Sequence, residues 1–459
     1  MDLSGKRVLV VGLGKSGVAS ALFLKARGAR VTVSDTKTED QLRAEIPVLL
    51  DHGIAVETGG HGDRTFRGQD LIVVSPGVPV DAAPLQQARA LGETVIGEIE
   101  LAAQFLPAPI VAITGSNGKT TTTTLAGEVL DAGGKEVLVG GNIGTPVMSM
   151  VPQATPETYN VLEISSFQLE TIQTFHPTIA VILNITPDHL DRHRTLEAYV
   201  AAKARIFENQ TTSDFAVLNR DDNICYSLRS HVRGTLTWFS RMRTGDDQRD
   251  AGAFVHGEKI FWRSAAGEEE IMPIGEIPLK GAHNLENVLA AVCVGKLVGC
   301  AAKDIRGAVS QFKAVEHRLE YVASIGGVDY FNDSKATNVD ATIKALESFP
   351  GNIHIILGGK DKGSDYSVLR DLLRQRARRV YTIGAAAEKI ESQITGAAPI
   401  ERSKTLQAAV TRAAELAKAG DVVLLAPACA SFDQFENYEH RGLEFKESVQ
   451  ALAKKSGAA

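Results

Sequence analysis

The run Thr114-Gly115-Ser116-Asn117-Gly118-Lys119-Thr120-Thr121 follows an apolar stretch at 109–113 and leads into a helix-forming stretch at 121–130. A glycine turn between a strand and a helix points several backbone N–H groups at one spot, and the helix dipole adds positive potential there. Lys119 can then reach the terminal phosphates of a nucleotide, and a hydroxyl such as that of Thr120 can hold Mg²⁺. The loop is shorter than the general pattern, because Gly115 stands only three residues before Gly118. Glu163 lies in the apolar run 160–164, and a carboxylate at such a strand end beside a phosphate loop suits a magnesium ligand. His189 belongs to Asp188-His189-Leu190-Asp191-Arg192-His193. That spacing lacks the partners of a catalytic zinc site, and His189 can instead be a second magnesium ligand. Lys203, on an expected helix, reads from spacing alone as an ordinary solvated lysine.

A second glycine signature, Gly12-Leu13-Gly14-Lys15-Ser16-Gly17, follows a strand and opens a helix, with Asp35 at the end of the next strand. This is the dinucleotide fingerprint, with an acid placed for ribose hydroxyls. The same groups would hold the pyrophosphate and ribose of a nucleotide sugar. A further glycine turn, Ser75-Pro76-Gly77-Val78-Pro79, lies at the expected ligand edge. Because a separate ATP-type loop follows, a UDP-type ligand ranks above a nicotinamide here. Asn284 and Asn287 sit three apart on one helix face; they can read a purine edge or cap the helix start. His317-Arg318 and the segments 332–338, 358–362 and 431–435 put an arginine, lysines and hydroxyls on loops and strand ends. Ligands of α/β sheets bind at such edges, and gathered cations suit an anionic substrate.

These groups need frameworks that alternate strands and helices. Strands are expected at 7–11, 30–34, 71–75, 94–96, 109–113, 160–164, 179–185, 327–331, 353–357, 379–383 and 422–426, with helices at 17–27 and 284–298. The alternation predicts an α/β chain with parallel sheets. Three domains are expected: a Rossmann-like N-terminal domain (1–97), a central P-loop ATPase-like domain (98–314) and a Rossmann-like C-terminal domain (315–459). Pro107-Ala108-Pro109 marks the first boundary. Residues 213–275, with a polar turn at 241–250, read as an insertion or sheet extension on the central domain. A chain of 459 residues exceeds what one core supports. A net charge of -6 gives no electrostatic reason to bind nucleic acid or an anionic membrane. Without a spanning apolar stretch, a signal peptide, or any CxxC among Cys225, Cys293, Cys300 and Cys429, a cytoplasmic protein is expected.

The segments TGSNGKTT, GNIGTP (141–146), EISSFQLE (163–170), DHLDRH (188–193), NDSKATN (332–338) and PACASFDQFENYEHRG (427–442) make the chain resemble the muramyl (Mur) ligases of peptidoglycan synthesis, across all three domains. The last two resemble the branch of that family that adds D-glutamate. The resemblance implies ATP-driven amide formation between UDP-N-acetylmuramoyl-L-alanine and D-glutamate through an acyl phosphate, in a monomer with two Mg²⁺ ions. It implies that Lys119, His189, Lys203 and Arg318 are catalytic, Lys203 being carbamylated. Thr120, Glu163, His189 and the modified Lys203 would serve the metal ions. Gly115, Ser116, Asn117, Gly118, Lys119, Thr120 and Thr121 would cradle ATP, with Asn284 or Asn287 on adenine and Arg318 and Asp333 reaching it from the third domain. Lys15, Ser16, Asp35, Thr36, Lys37, Gly77, Asn142 and His189 would surround the UDP substrate. Lys335, Thr337, Lys362, Ser431, Phe432 and Tyr438 would line the D-glutamate pocket; Tyr438 stands where phenylalanine is common. Closure about hinges near 97 and 315 is expected to shield the acyl phosphate from water.

Overall fold

The computed structural model describes residues 1–455 apart from 63, 108, 143, 243–249, 280 and 314. Among these residues the strands form three sheets. The first is wholly parallel, in the order β3-β2-β1-β4-β5, from β1 (Arg7–Val11), β2 (Arg30–Ser34), β3 (Ala55–Glu57), β4 (Leu71–Val74) and β5 (Val95–Gly97). Apart from Arg7, β1 and β4 are apolar and buried, as strands covered on both faces must be. The order reverses beside β1, so the loops after β1 and β4 diverge and leave a crevice at their carboxyl ends.

The second sheet contains β6 (Ile110–Thr114), β7 (Val137–Gly141), β8 (Tyr159–Glu163), β9 (Ile179–Ile182), β10 (Phe215–Asn219), β11 (Thr235–Ser240), β12 (Gly252–His256), β13 (Lys259–Ser264) and β14 (Gly267–Pro273). Its order is β14-β13-β12-β11-β10-β9-β6-β8-β7, so the phosphate-loop strand β6 lies between β9 and β8. The segment 213–275 extends this same sheet, first in parallel and then through the antiparallel pairs β12–β13 and β13–β14. Residues 243–249 of the expected polar turn lie outside the described residues. On the outermost strand, exposed Glu268, Glu269 and Glu270 pair with Arg263, Lys296 and Lys259.

The third sheet orders β15 (Glu320–Ile325), β16 (Val328–Asn332), β17 (Ile353–Gly358), β18 (Ala377–Ile383), β19 (Ile400–Lys404) and β20 (Val422–Leu425) as β15-β16-β20-β17-β18-β19. Ile355, Leu357 and Leu424 join one apolar cluster, and their chain neighbours Ile356, Val423 and Leu425 join another. Successive strand residues face opposite sides, so this split means that both faces are packed.

The chain packs as two compact units. One comprises Met1–Ile185, Val200–Ile274 and Glu286–Val309, and holds the first two sheets; the other comprises Thr186–Tyr199, Gly275–Leu285 and Ser310–Ala459, and holds the third. Within the first unit the helix Glu98–Ala103 ties the two sheets together. Glu100 accepts from the backbone N–H groups of Gln173, Thr174 and Phe175. Glu98 Oε1 accepts from Met148 N–H at 2.7 Å, while Oε2 has no hydrogen-bond partner among the described residues. Burial pushes the Glu98 carboxyl up to about 7, against the lowering effect of its backbone hydrogen bonds.

Helix starts and edge strands differ from the sequence expectation, the first helix beginning at Lys15 ahead of the expected 17. The phosphate-loop helix starts at Lys119 and the closing helix at Ala282, each about a half-turn early. β3, β7, β15 and β19 were not expected as strands. The four cysteines are free, and no helix among the described residues is long and apolar enough to cross a membrane.

Candidate active site

β6 is buried along its length and delivers the chain to the glycine turn. Gly118 caps the helix Lys119–Ala132 with φ 83°, in the left-handed region. A Cβ there would lie 2.2 Å from Asn287 Oδ1, so both the torsion and the space call for glycine. The first turn of such a helix carries N–H groups with no acceptor inside the helix, as an anion site requires. Thr120 Oγ1 donates to Glu163 Oε2 at 2.7 Å, and Asn142 Nδ2 donates to Oε1 at 2.7 Å. Glu163 is 1% exposed. A hydroxyl and a carboxylate brought together at the head of a phosphate-binding helix fit the hard oxygen donors that Mg²⁺ prefers.

Lys119 is folded back on its own loop, donating to the carbonyls of Gly115 (2.9 Å) and Ser116 (2.8 Å). Lys203 corrects the reading from spacing alone: it is 1% exposed, not solvated. Its Nζ donates to Gly115 O at 2.8 Å and to Thr114 Oγ1 at 3.3 Å. Asn287 accepts from Thr122 Oγ1 at 3.2 Å, and therefore packs against the phosphate-loop helix.

In the first sheet, Lys15 and Ser16 begin the helix Lys15–Ala26. A Cβ on Gly17 would lie 1.8 Å from Gly12 O, so this glycine permits the close packing of turn on helix. Asp35 accepts from Leu13 N–H (2.6 Å) through one oxygen and from Lys37 N–H (2.8 Å) through the other, binding the two loops that would hold a ligand. Thr36, Lys37 and Gly77 are exposed on the same carboxyl edge.

In the second unit Asn284, Arg318, Leu319, Tyr321, Phe331 and Phe349 help to line a cavity of about 220 Å³. Phe331 meets Phe349 and Tyr321 edge-on, with centroids 4.8 and 5.6 Å away. Flat aromatic walls with one amide suit a purine ring. Asp333 accepts from Leu319 N–H, and burial pushes its carboxyl up to about 7 although Arg318 opposes this. His189 has a left-handed backbone (φ 54°) and places Nε2 3.6 Å from Asp188 Oδ2. Asp188 also takes Lys362 Nζ at 3.0 Å and Asn338 Nδ2 at 3.0 Å. Burial works against its ionisation, but Lys362, His189 and Asn338 outweigh it and hold the carboxyl at about 2. His193 is buried against the Tyr199 ring, which makes it a core residue.

Lys335 Nζ sits 3.6 Å from the centroid of the Tyr438 ring. Thr337 is half-buried, Ser431 buried and Phe432 67% exposed. The loops carrying these residues are joined by Arg441, which no motif reasoning had singled out. It is fully buried and donates to Ser334 Oγ, Ser334 O and Cys429 O.

Family models match three successive stretches: the Mur ligase MurD-like N-terminal domain over 6–97, the Mur ligase middle domain over 113–295, and the Mur ligase glutamate ligase domain over 317–429. A curated relative from Koribacter versatilis (strain Ellin345) is 64% identical over 99% of this chain and 99% of its own. The chain belongs to the Mur ligase family. That relative is named UDP-N-acetylmuramoylalanine--D-glutamate ligase. So is one from Acidobacterium capsulatum, 59% identical over 98% of this Mur ligase and 97% of its own length. Among solved structures, a pseudomurein peptide ligase type C from Methanothermus fervidus shares the fold with a TM-score of 0.61 at 20% identity. The match covers 98% of this Mur ligase and all of that chain.

Proposed function

We propose that this Mur ligase joins D-glutamate to UDP-N-acetylmuramoyl-L-alanine with cleavage of ATP, acting as a cytoplasmic monomer with domains 1–97, 98–314 and 315–459. The observation that carries the substrate assignment is 64% identity over 99% of the chain to a relative of that name. The geometry of the phosphate loop supports the chemistry. The substrate carboxylate attacks the γ-phosphorus of ATP; ADP leaves and an acyl phosphate forms. The D-glutamate amine then attacks the acyl carbon, inorganic phosphate leaves, the nitrogen loses its proton and an amide remains. Several anions converge, so the main tasks are charge neutralisation and alignment. Lys119, once turned from Gly115 O and Ser116 O, would pair with the terminal phosphates, and Arg318 would add a second cation.

Mg²⁺ held by Thr120 and Glu163 would neutralise phosphate charge. A second ion would rest on His189 and a carbamylated Lys203. The Lys203 ammonium first loses a proton; addition of CO₂ to the resulting amine gives a carbamate and releases a second proton, so that a cation becomes an anion. Its burial against the phosphate loop supports that role. Asn284 is the better candidate for adenine, because it lines the aromatic cavity whereas Asn287 packs against the phosphate-loop helix. Asp333 would reach the nucleotide as well. Lys15, Ser16, Asp35, Thr36, Lys37, Gly77 and Asn142 would hold the UDP substrate. Lys335, Thr337, Lys362, Ser431, Phe432 and Tyr438 would hold D-glutamate.

The test is phosphate release with ATP, Mg²⁺, UDP-N-acetylmuramoyl-L-alanine and a panel of amino acids in both stereochemistries. Release is expected only with D-glutamate and only when the UDP substrate is present. Equal release with L-glutamate, or release that ignores the amino acid, would refute the assignment.

A further inference from the structure

β9 runs parallel to β6, with Ile182 opposite Thr114. The pairing continues past both strand ends: Leu183 N–H donates to Thr114 O at 3.0 Å, and Ser116 N–H to Asn184 O at 2.9 Å. One residue further the Asn184 side chain takes over from its backbone. Its Oδ1 accepts from Asn117 N–H at 2.9 Å, and its Nδ2 donates to Asn117 O at 3.1 Å. A carboxamide offers a donor and an acceptor side by side, so this one imitates an additional strand residue. Asn184 is 8% exposed and is braced from behind. Asn219 Nδ2 donates to Leu183 O at 2.9 Å, and Ile185 N–H donates to Asp222 Oδ2 at 3.1 Å.

We propose that Asn184 is a positioning residue that keeps the phosphate loop in its nucleotide-binding shape, a role that rests on the ATP-dependent ligase reading above. The loop is short, with Gly115 three residues before Gly118, and so has little backbone to bond to itself. Lys119 ties down the carbonyls of Gly115 and Ser116. To meet a terminal phosphate its ammonium must leave them, and the loop then loses those two bonds, although Lys203 still donates to Gly115 O. Asn184 holds the N–H and the C=O of Asn117, which belong to the peptides on either side of that residue, and its two bonds persist while Lys119 swings. Without them the nucleotide itself would have to order the loop, and ordering on binding lowers affinity. Asn184 acts through the Asn117 backbone and needs no contact with substrate.

The test uses the full chain as wild type, Asn184→Ala and Asn184→Asp. Readouts are equilibrium binding of MgADP, KM for ATP, KM for the UDP substrate, and the melting temperature. Asn184→Ala should weaken MgADP binding and raise KM for ATP by about 10- to 100-fold, the loss of two hydrogen bonds. KM for the UDP substrate should hold. Asn184→Asp keeps the acceptor and the size but sets a carboxylate against Asn117 O, so it should lose nucleotide affinity to at least the same degree; it also keeps the test open should the alanine variant not fold. Wild-type nucleotide affinity in either variant, or an equal loss for both substrates, would overturn the proposal. A wild-type chain that bound no MgADP would overturn the ligase reading along with it, whereas normal binding in wild type and variants alike sinks the Asn184 role alone.

Discussion

Replacing Gly118 by alanine makes two separable demands on the phosphate loop. The residue holds φ at 83°, and a left-handed backbone costs a residue with a Cβ about 1–2 kcal/mol. The new methyl would also stand 2.2 Å from Asn287 Oδ1. That amide must move, giving up its bond from Thr122, for about 1 kcal/mol more. Gly118→Ala should therefore destabilise the fold by about 2–3 kcal/mol and raise KM for ATP through misdirected N–H groups. Urea unfolding followed by tryptophan fluorescence suits the question. The chain has only two tryptophans, Trp238 and Trp262, and both belong to strands of the nine-stranded sheet that carries the loop. A double-mutant cycle separates the two costs. Asn287→Ala alone should cost about 1 kcal/mol, yet the double variant should be no less stable than Gly118→Ala, since the bond is already lost in both. Simple additivity would refute the steric part, and a Gly118→Ala variant with wild-type midpoint and KM would refute the whole account.

Lys119→Ala should abolish phosphate release with all substrates present while the chain stays folded, its unfolding free energy lower by about 1–2 kcal/mol for the two lost bonds to Gly115 O and Ser116 O; near-normal turnover would remove the phosphate-loop assignment. Lys203→Ala should lower activity steeply, and short carboxylic acids added to the assay should restore part of it; absence of rescue would count against carbamylation. Glu98→Gln tests the buried carboxyl between the first two sheets. Its pKa is raised from 4.5 to about 7, so the native state binds the proton more tightly than the unfolded chain. The contribution is full below about 4.5 and is lost as pH rises through about 7; the difference converts to roughly 3 kcal/mol at most. The glutamine variant should thus melt higher than wild type at pH 8 and show a smaller advantage at pH 5. A pH-independent difference would show that Glu98 does not titrate in this range.

How far the sequence could be read depended on where each strand lies. β1, β4, β6, β17 and β20 are central, covered on both faces, and write themselves as apolar runs. β3, β7, β15 and β19 are all sheet edges. Sequences such as Ile400-Glu401-Arg402-Ser403-Lys404 carry no such signal, because one flank and much of one face meet water. The helix after the phosphate loop begins early because Gly118 supplies the cap by torsion, where a polar cap residue would have advertised the start. Local motifs also marked Lys119, Thr120 and Glu163, and Thr120 meets Glu163 because β6 and β8 are parallel neighbours. Asn184 touches a residue 67 positions away, and Arg441 one 107 positions away. Neither pairing leaves a trace in spacing. Lys203 shows the opposite failure: its helix context looks ordinary, and only the packing of that helix on the loop buries it.

The outermost strand of the nine-stranded sheet has an effect beyond its own pairing. Glu268, Glu269 and Glu270 stand in succession there, each already engaged by a cation from the same molecule. A passing chain that tried to dock as a tenth strand would meet a row of negative charge whose counter-charges are taken, and would find no apolar stripe to reward it. An edge strand that carries charge in place of an apolar stripe disfavours pairing with another chain along β14.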